Sequence, residues 1–373
     1  MRLIYYWLAI ALLPLTAGCR TTPSSSLGSA EIQPGPGESN GRRKVIYDND
    51  MNLDDWPAFL FLLHNPAVEV VAVTVNGTGV ATCNYGEGKL RGAEIALALL
   101  KLAGKEGDDI PVACGRSEPL SGSNHFPVEW RKNADTIFGL TLAPSERKPD
   151  DRMSEDVIIH MLERATEPLT ILTTGSLTDV AAALRKQPKI AANIAEIVIM
   201  GGAVRTHGNL VVPGSHVTDN KAAEWNIYLD PVAADFVLNA GVHVRLVPLD
   251  GTNHVPVTLA FRDRLGLNEN QCTASARFIH DYFMKNTEFI NTGEFFFWDP
   301  LAAAAMTENV CQWERISLKV TTAGGNEQGR TAESTDDDGV EHQVCVKADG
   351  AAFQARFLAV VNSGPTRGKC SSP

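Results

Sequence analysis

Asp48, Asp50, Asp54 and Asp55 place four carboxylates within eight residues, directly behind the apolar run Val45-Ile46-Tyr47. Ionised acids crowded so closely need a cation or strong donors between them, and a hard, oxygen-seeking ion is the natural partner. Singly, each has an ordinary use: Asp54 or Asp55 could cap a helix, and Asp48 could close a turn. Four together behind a wholly apolar strand point instead to a metal or sugar-hydroxyl site.

The elements that must hold these acids are readable on either side. Val45, Ile46 and Tyr47 are strand formers, and Trp56 to Leu63 reads as a buried helix whose first turn accepts acids and Pro57. The acids therefore stand where a strand hands over to a helix, the place at which open α/β sheets bind ligands. Further strands follow at Val68–Val75, Ile110–Cys114, Leu169–Thr173, Glu196–Met200 and His243–Leu249, with helices at Gly86–Leu102, Ser154–Ala165, Leu177–Arg185 and Pro231–Leu238 between them. This alternation predicts an α/β fold: a Rossmann-like, mostly parallel sheet with helices on both faces. Long connections at 115–149, 201–228 and 251–297 lie on its C-terminal rim and are placed to carry function. Ile316–Thr322 and Glu341–Val346 are expected to form a C-terminal antiparallel hairpin around the acidic tip 336–339. Polar residues end several strands: Thr173 to Thr178, Gly201-Gly202 and Asp250. One more acid, Asp299, opens the Ala-rich helix from Leu301 to Met306.

Composition narrows the partners. The 373 residues carry a formal net charge of -11, which excludes a nucleic-acid polymer as partner, since phosphate binding needs clustered Lys and Arg. A small neutral ligand, or one recruited through a cation, fits better. Residues 1–19 read as a signal peptide: Arg2, an apolar run from Leu3 to Leu15, then Thr16-Ala17-Gly18-Cys19. The apolar run is too short for a membrane span. Its end resembles a bacterial lipobox with Thr16 at the usual aliphatic position, so lipidation at Cys19 is expected, with plain secretion as the alternative. Contact with a membrane would then be through the N-terminal lipid alone, and the chain would be an exported lipoprotein of the bacterial periplasm or outer membrane. Residues 20–42 form a Ser/Gly/Pro-rich tether, and 43–365 the folded domain. Six further cysteines without a C-x-x-C pair are expected to be buried or disulfide-bonded rather than zinc ligands. Self-association into a homo-oligomer is left open.

From about Arg43 to Asn362 the chain resembles the nucleoside hydrolases. The resemblance rests on Asp48-Asn49-Asp50-Met51-Asn52-Leu53-Asp54-Asp55, Thr174-Gly175-Ser176-Leu177-Thr178, Met200-Gly201-Gly202-Ala203, Ala223 to Pro231, and Trp298-Asp299. It implies one Ca²⁺ held by Asp50, Asp55, Asp299 and the Thr174 carbonyl, with Asp50 as general base. Asp54, Asn226, Glu224 and Asn209 would hold the ribose, Asp54 beside the reaction centre and Asn209 toward the 5′ hydroxyl. Asn220 competes with Asn209 for that last role. Two departures matter. Met51-Asn52 replaces the usual Pro-Gly turn, and Trp298 replaces the histidine that in much of the family protonates the leaving base. Together with Trp130, Trp298 resembles the purine-preferring branch, whose indoles sandwich the base. A glycine falls where the family often has a ligand-facing amide or acid after the second strand, with Asn76 as a substitute. The resemblance therefore implies Ca²⁺-dependent hydrolysis of purine ribonucleosides. The alternatives are a non-catalytic nucleoside- or sugar-binding lipoprotein and a hydrolase of another N-ribosyl compound.

Overall fold

The computed structural model describes residues 41–83, 91–211, 218–265, 273–335 and 339–364. The strands are β1 (Arg43–Asn49), β2 (Val68–Val75), β3 (Val112–Cys114), β4 (Asp150–Met153), β5 (Leu169–Thr173), β6 (Ile194–Met200), β7 (Val244–Val247), β8 (Cys311–Val320), β9 (Thr331–Glu333) and β10 (Val340–Ala348). They form one sheet in the order β4-β3-β2-β1-β5-β6-β7-β10-β8-β9. From β4 to β10 every pairing is parallel, and β10–β8 and β8–β9 are antiparallel. The order reverses at β1, whose neighbours β2 and β5 run away on opposite sides. The crevice beyond its carboxyl end is therefore a topological switch point, where ligands of such sheets bind.

Helices cover both faces because both faces of the central strands are apolar. On one side lie α1 (Asp55–His64) and α2 (Gly92–Leu102); on the other, beyond the loop helix α3 (Val128–Ala134), lie α4 (Ser154–Arg164) and α5 (Thr178–Lys186). The short α6 (Trp225–Leu229) leads into α7 (Pro231–Leu238), which joins α4 and α5. Then come α8 (Leu249–Thr252), α9 (Leu259–Arg262), α10 (Ala274–Lys285), α11 (Thr287–Thr292), α12 (Trp298–Ala305) and α13 (Gly350–Val361). Helix α1 is buried almost all round. Phe61 stacks on Phe357 of α13 at 5.6 Å, and Trp56 meets Phe278 and Tyr282 of α10. Each such side chain contributes roughly 1.5–3 kcal/mol by leaving water, so the first turn of α1 is held by its own packing.

The expected α/β sheet is present, with differences of detail at β4, β9 and the end of β7. β4 and β9 are polar edge strands whose sequences, Asp-Asp-Arg-Met and Thr-Ala-Glu, carry no apolar alternation. β7 stops at Val247 because Pro248 has no N–H for the ladder. The expected C-terminal antiparallel pair is present as β8 against β10, and because β10 also pairs with β7, β8 and β9 extend the main sheet. The acidic tip 336–338, Cys19, Cys272, Cys370 and the leader and tether up to residue 40 lie outside the described residues. Cys83–Cys114 and Cys311–Cys345 are disulfides, two of the pairings that the even number of cysteines after Cys19 allowed.

Candidate functional site

At the end of β1, Asp48 stands in register with Thr74 of β2 and Thr173 of β5. Both hydroxyls donate to its carboxylate, at 2.6 and 3.4 Å. The chain then leaves the sheet in a tight turn. Met51 takes a left-handed conformation (φ 53°), and its N–H donates to Asn49 Oδ1 at 3.1 Å. The Trp56 indole closes the turn on the Met51 carbonyl. Met51 thus adopts the backbone that a glycine would accept without cost.

Asp50 is 2% exposed and wedged between two glycines. A Cβ on Gly79 would stand 2.0 Å from the Asp50 Cβ, and one on Gly175 would stand 3.1 Å from it. Its carboxylate accepts from Asn52 N (3.0 Å) and Val80 N (3.3 Å) and touches Asp55. Asp55 is the most heavily bonded acid: Tyr47 donates at 2.8 Å, the Thr174 hydroxyl at 2.6 Å and Asn52 N at 2.8 Å. Asp54 sits at the helix N-cap but makes no capping bond with its side chain, so the ordinary use of an acid here does not apply. Its carboxylate meets that of Asp299, which the first turn of α12 delivers from the far side of the crevice.

Asp54, Asp55 and Asp299 bring carboxylate oxygens within 4.8 Å of one another. Asp50, expected among the ligands, borders this trio through Asp55. Burial pushes all four acids up, Asp55 against its hydrogen bonds, and repulsion from the neighbouring carboxylates adds to it for the other three, taking Asp54 to about 7 and Asp50 and Asp299 well above the carboxylate range. Among the described residues no lysine or arginine forms an ion pair with any of them. A buried, all-oxygen group so short of positive charge fits a hard divalent cation.

The ribose candidates converge on the same rim. Asn226 donates to the Thr174 carbonyl (3.3 Å) and the Met200 carbonyl (3.1 Å), tying β5 to β6. Glu224 caps α6, accepting from Asn226 N, Ile227 N and Gly202 N, and burial carries it up to about 7 against those bonds. Asn220 is fully buried, with its amide on the Gln328 carbonyl and its oxygen on Ala222 N and Ala223 N. Asn209 is half-buried and, among the described residues, only its oxygen is engaged, accepting from Trp225 N, which leaves its amide the freer of the two. Asn76 does not act as a substitute contact: its amide goes to the Ser176 carbonyl and its oxygen to Thr78.

The two indoles belong to separate aromatic groups. Trp130 of α3 lies 5.5 Å from Trp225 and 6.1 Å from Phe126, whereas Trp298 packs on Phe295 (5.7 Å) and Phe296 (6.0 Å). Trp225 and Phe126, stacked at 4.7 Å, form a platform that motif reading left out. Their neighbourhood in sequence to Trp130 and Glu224 was the only signal available.

A second acid group stands behind Asp48. Asp179 in the first turn of α5 is fully buried against Gly115, and burial, then Asp48 and Glu155, raise it well above the usual range. Glu155 pairs with Arg116 at 2.8 Å. At the opposite end of the strands a cavity of about 830 Å³ is lined by Arg42, His64, Glu69, Lys105 and Asp108 among others. Its charges are spent on one another, as Arg42–Glu69 and Lys105–Asp108 pairs, and it offers no comparable chemistry.

Comparison with known proteins agrees with this geometry. Residues 45–355 match the family model described as inosine-uridine preferring nucleoside hydrolase. A probable uridine nucleosidase 1 of Oryza sativa subsp. japonica is 30% identical over 277 residues, covering 73% of this chain and 79% of its own length. The inosine-uridine preferring nucleoside hydrolase of Leishmania major is 30% identical over 299 residues, 78% of this chain and 87% of its own. Among solved structures, the purine-preferring ribonucleoside hydrolase from Gardnerella vaginalis superposes with a TM-score of 0.71 at 28% identity, covering 86% of this chain and 98% of that one.

Proposed function

The chain belongs to the inosine-uridine preferring nucleoside hydrolase family, and we propose that it hydrolyses the N-glycosidic bond of purine ribonucleosides with Ca²⁺ held by Asp50, Asp55, Asp299 and the Thr174 carbonyl, beside Asp54. The observation that carries the reading is the set of three buried carboxylates, Asp50, Asp55 and Asp299, with the half-buried Asp54, lacking a cationic partner among the described residues. Ca²⁺ takes six to eight oxygens, and Asp55, Asp299, the Thr174 carbonyl and an oxygen of Asp50 would hold it. When bound, the ion supplies the positive charge that makes a water acidic enough to attack at neutral pH.

Asp50 takes the proton of that water. It is held for the task by Gly79, Gly175 and Asn52 N. Asp54, uncommitted to its helix, accepts from a ribose hydroxyl beside Asn226, and Asn209 and Glu224 face the 5′ hydroxyl. Trp298 and Trp130 stack on the base, which is protonated at a ring nitrogen through solvent. The relatives act on uridine, inosine or purine nucleosides according to their names; the indole in place of the histidine is what favours purines here. The retained Asp50 favours an enzyme over a binding protein. The leader and Cys19 support export with an N-terminal lipid, and the two disulfides support an oxidising compartment.

The test is a product screen. Purified protein with inosine, adenosine or guanosine should release free base and ribose, faster than with uridine, and chelation should abolish turnover until Ca²⁺ is returned. Undiminished turnover by metal-free protein would overturn the metal assignment, and uridine cleaved as fast as inosine would overturn the purine assignment.

A further inference from the structure

Glu224 and Asn209, the residues assigned to the 5′ hydroxyl, are joined through one backbone residue, Ala223, and that residue is fastened from outside the pocket. Asn220 is 0% exposed, and both ends of its side chain are engaged. Its amide donates to the Gln328 carbonyl at 2.7 Å, and its oxygen accepts from Ala222 N (2.9 Å) and Ala223 N (3.1 Å). The Ala223 carbonyl in turn accepts from Asn209 N at 3.2 Å, and Asn209 Oδ1 accepts from Trp225 N at 3.1 Å. Ala223 is thus tied to Asn220 at its N–H and to Asn209 at its carbonyl, one residue before Glu224. Gly208 lies so close to that carbonyl that a Cβ there would stand 1.9 Å from its oxygen.

Gln328 belongs to the connection between β8 and β9, which closes on itself through Thr321 N on the Arg330 carbonyl (2.9 Å) and Gly329 N on the Thr321 carbonyl (2.8 Å). This connection reaches the surroundings of Glu224 elsewhere too. Gly329, left-handed at φ 81°, lies against α6: a Cβ on it would stand 2.8 Å from the Tyr228 Cα and 3.2 Å from the Ala223 Cβ. Thr331, at the start of β9, lies over Gly202, where a Cβ would stand 3.1 Å from its Oγ1, and Gly202 N donates to Glu224 Oε2 at 2.9 Å. Asn124 Nδ2 donates to the Tyr228 carbonyl (2.7 Å) and to Gln328 Oε1 (3.3 Å). Backbone groups of a packed loop need partners that no ladder supplies, and Asn220 provides them for Gln328, Ala222 and Ala223.

We propose that Asn220 is a positioning residue for the 5′ end of the ribose. By latching Ala223 to the β8–β9 connection it sets the Glu224 carboxylate and the Asn209 amide for the 5′ hydroxyl, so the C-terminal extension of the sheet contributes to substrate recognition without touching the substrate. The inference rests on the nucleoside hydrolase reading of the site.

Inosine and 5′-deoxyinosine differ only in the hydroxyl concerned, and the ratio of their kcat/KM values does not depend on the amount of folded enzyme. Asn220→Asp in the full protein keeps the acceptor for Ala222 N and Ala223 N but has no donor for the Gln328 carbonyl. Gly329→Ala presses the connection off Tyr228 and leaves Asn220 intact; should Asn220→Asp fail to fold, it carries the test alone. In each variant the preference for inosine over 5′-deoxyinosine should fall about tenfold, the size of a hydrogen bond to an ionised group lost in part. KM for inosine should rise more than kcat falls. An unchanged preference in the folded variants, with both substrates losing alike or only a lower melting temperature, is the mark of a structural bond and would overturn the proposal. A parent that cleaves inosine no better than 5′-deoxyinosine would remove the 5′ subsite and the proposal with it. A parent that cleaves neither would instead sink the nucleoside hydrolase reading.

Discussion

Gly79→Ala tests the position of Asp50 without touching its chemistry. The new methyl would lie 2.0 Å from the Asp50 Cβ and 2.7 Å from its Cγ and Oδ2. Ordinary carbon contacts lie near ~3.5–4.0 Å, so about 1.5 Å must be absorbed. Retreat is limited on the other side, where even a Cβ on Gly175 would stand only 3.1 Å from the Asp50 Cβ and backbone N, and Ala81 N is bonded to the Asp50 carbonyl at 3.1 Å. The side chain or the loop from Asn76 to Val80 has to give. Overpacking of this kind costs roughly 1–3 kcal/mol of stability. Misplacing a reacting group by about 1 Å costs on the order of 10²-fold in rate, or about 2.7 kcal/mol of barrier. We therefore expect kcat for inosine to fall about a hundredfold, with a lower melting temperature. Gly107→Ala is the control, because a methyl there meets nothing within 4 Å. Kinetics and thermal melts of the three proteins decide the matter. A Gly79→Ala enzyme within twofold of the parent would show that Asp50 need not stand where it does, and the general-base assignment would fall with it.

Asp179→Asn should stabilise the protein increasingly as pH rises. The folded-state pKa of Asp179 is raised by burial and by Asp48 and Glu155, so its contribution is fully present below the unfolded value near ~3.9 and is lost as pH climbs through the folded value. An amide cannot ionise; melting temperatures at pH 4, 6 and 8 should show the variant's advantage growing, and a constant difference would refute the cause. The Cys83–Cys114 bond spans a sequence separation of 31, worth about 3–4 kcal/mol through the unfolded chain, and it flanks the loop bearing Gly79. Cys83→Ser with Cys114→Ser should lower both stability and kcat/KM, whereas Cys311→Ser with Cys345→Ser should lower stability alone; equal kinetic losses would refute the distinction. Trp298→Ala should reduce kcat/KM for inosine roughly ten- to a hundredfold, from stacking worth ~1–3 kcal/mol, with a smaller loss for uridine; equal losses would refute the stacking role.

How far the chain could be read depended on what each residue's function required of its neighbours in sequence. β2, β5 and α7 occupy the residues the pattern assigned, because strands buried on both faces and a helix opened by Asp230-Pro231 leave uninterrupted local signals. The edge strands β4 and β9 were silent, since an edge is defined by the partner it lacks and not by apolar residues. The acids of the first turn were legible for the same local reason, being consecutive with the strand that carries them. Asp299 was legible only through a motif, and its contact with Asp54 could not be read at all: it exists because the N-termini of α1 and α12 meet across the crevice.

The distances that matter most for the chemistry are of this non-local kind. Gly79 and Gly175 look like ordinary loop glycines, yet each is required by a side chain distant in sequence, and nothing in their immediate surroundings announces it. Asn76 shows the converse. Its position after β2 made it a plausible ligand contact, but the loop needs its amide on Ser176 and its oxygen on Thr78, whose hydroxyl joins those of Ser176 and Thr178 in a chain ending on Asp230. That chain links the loops after β2 and β5 to the start of α7. The loop holding Gly79 against Asp50 is therefore fixed from behind by hydroxyls as well as by the packing of the fully buried Val80 and Ala81, which explains how a loop can stand against the proposed base closely enough to aim it.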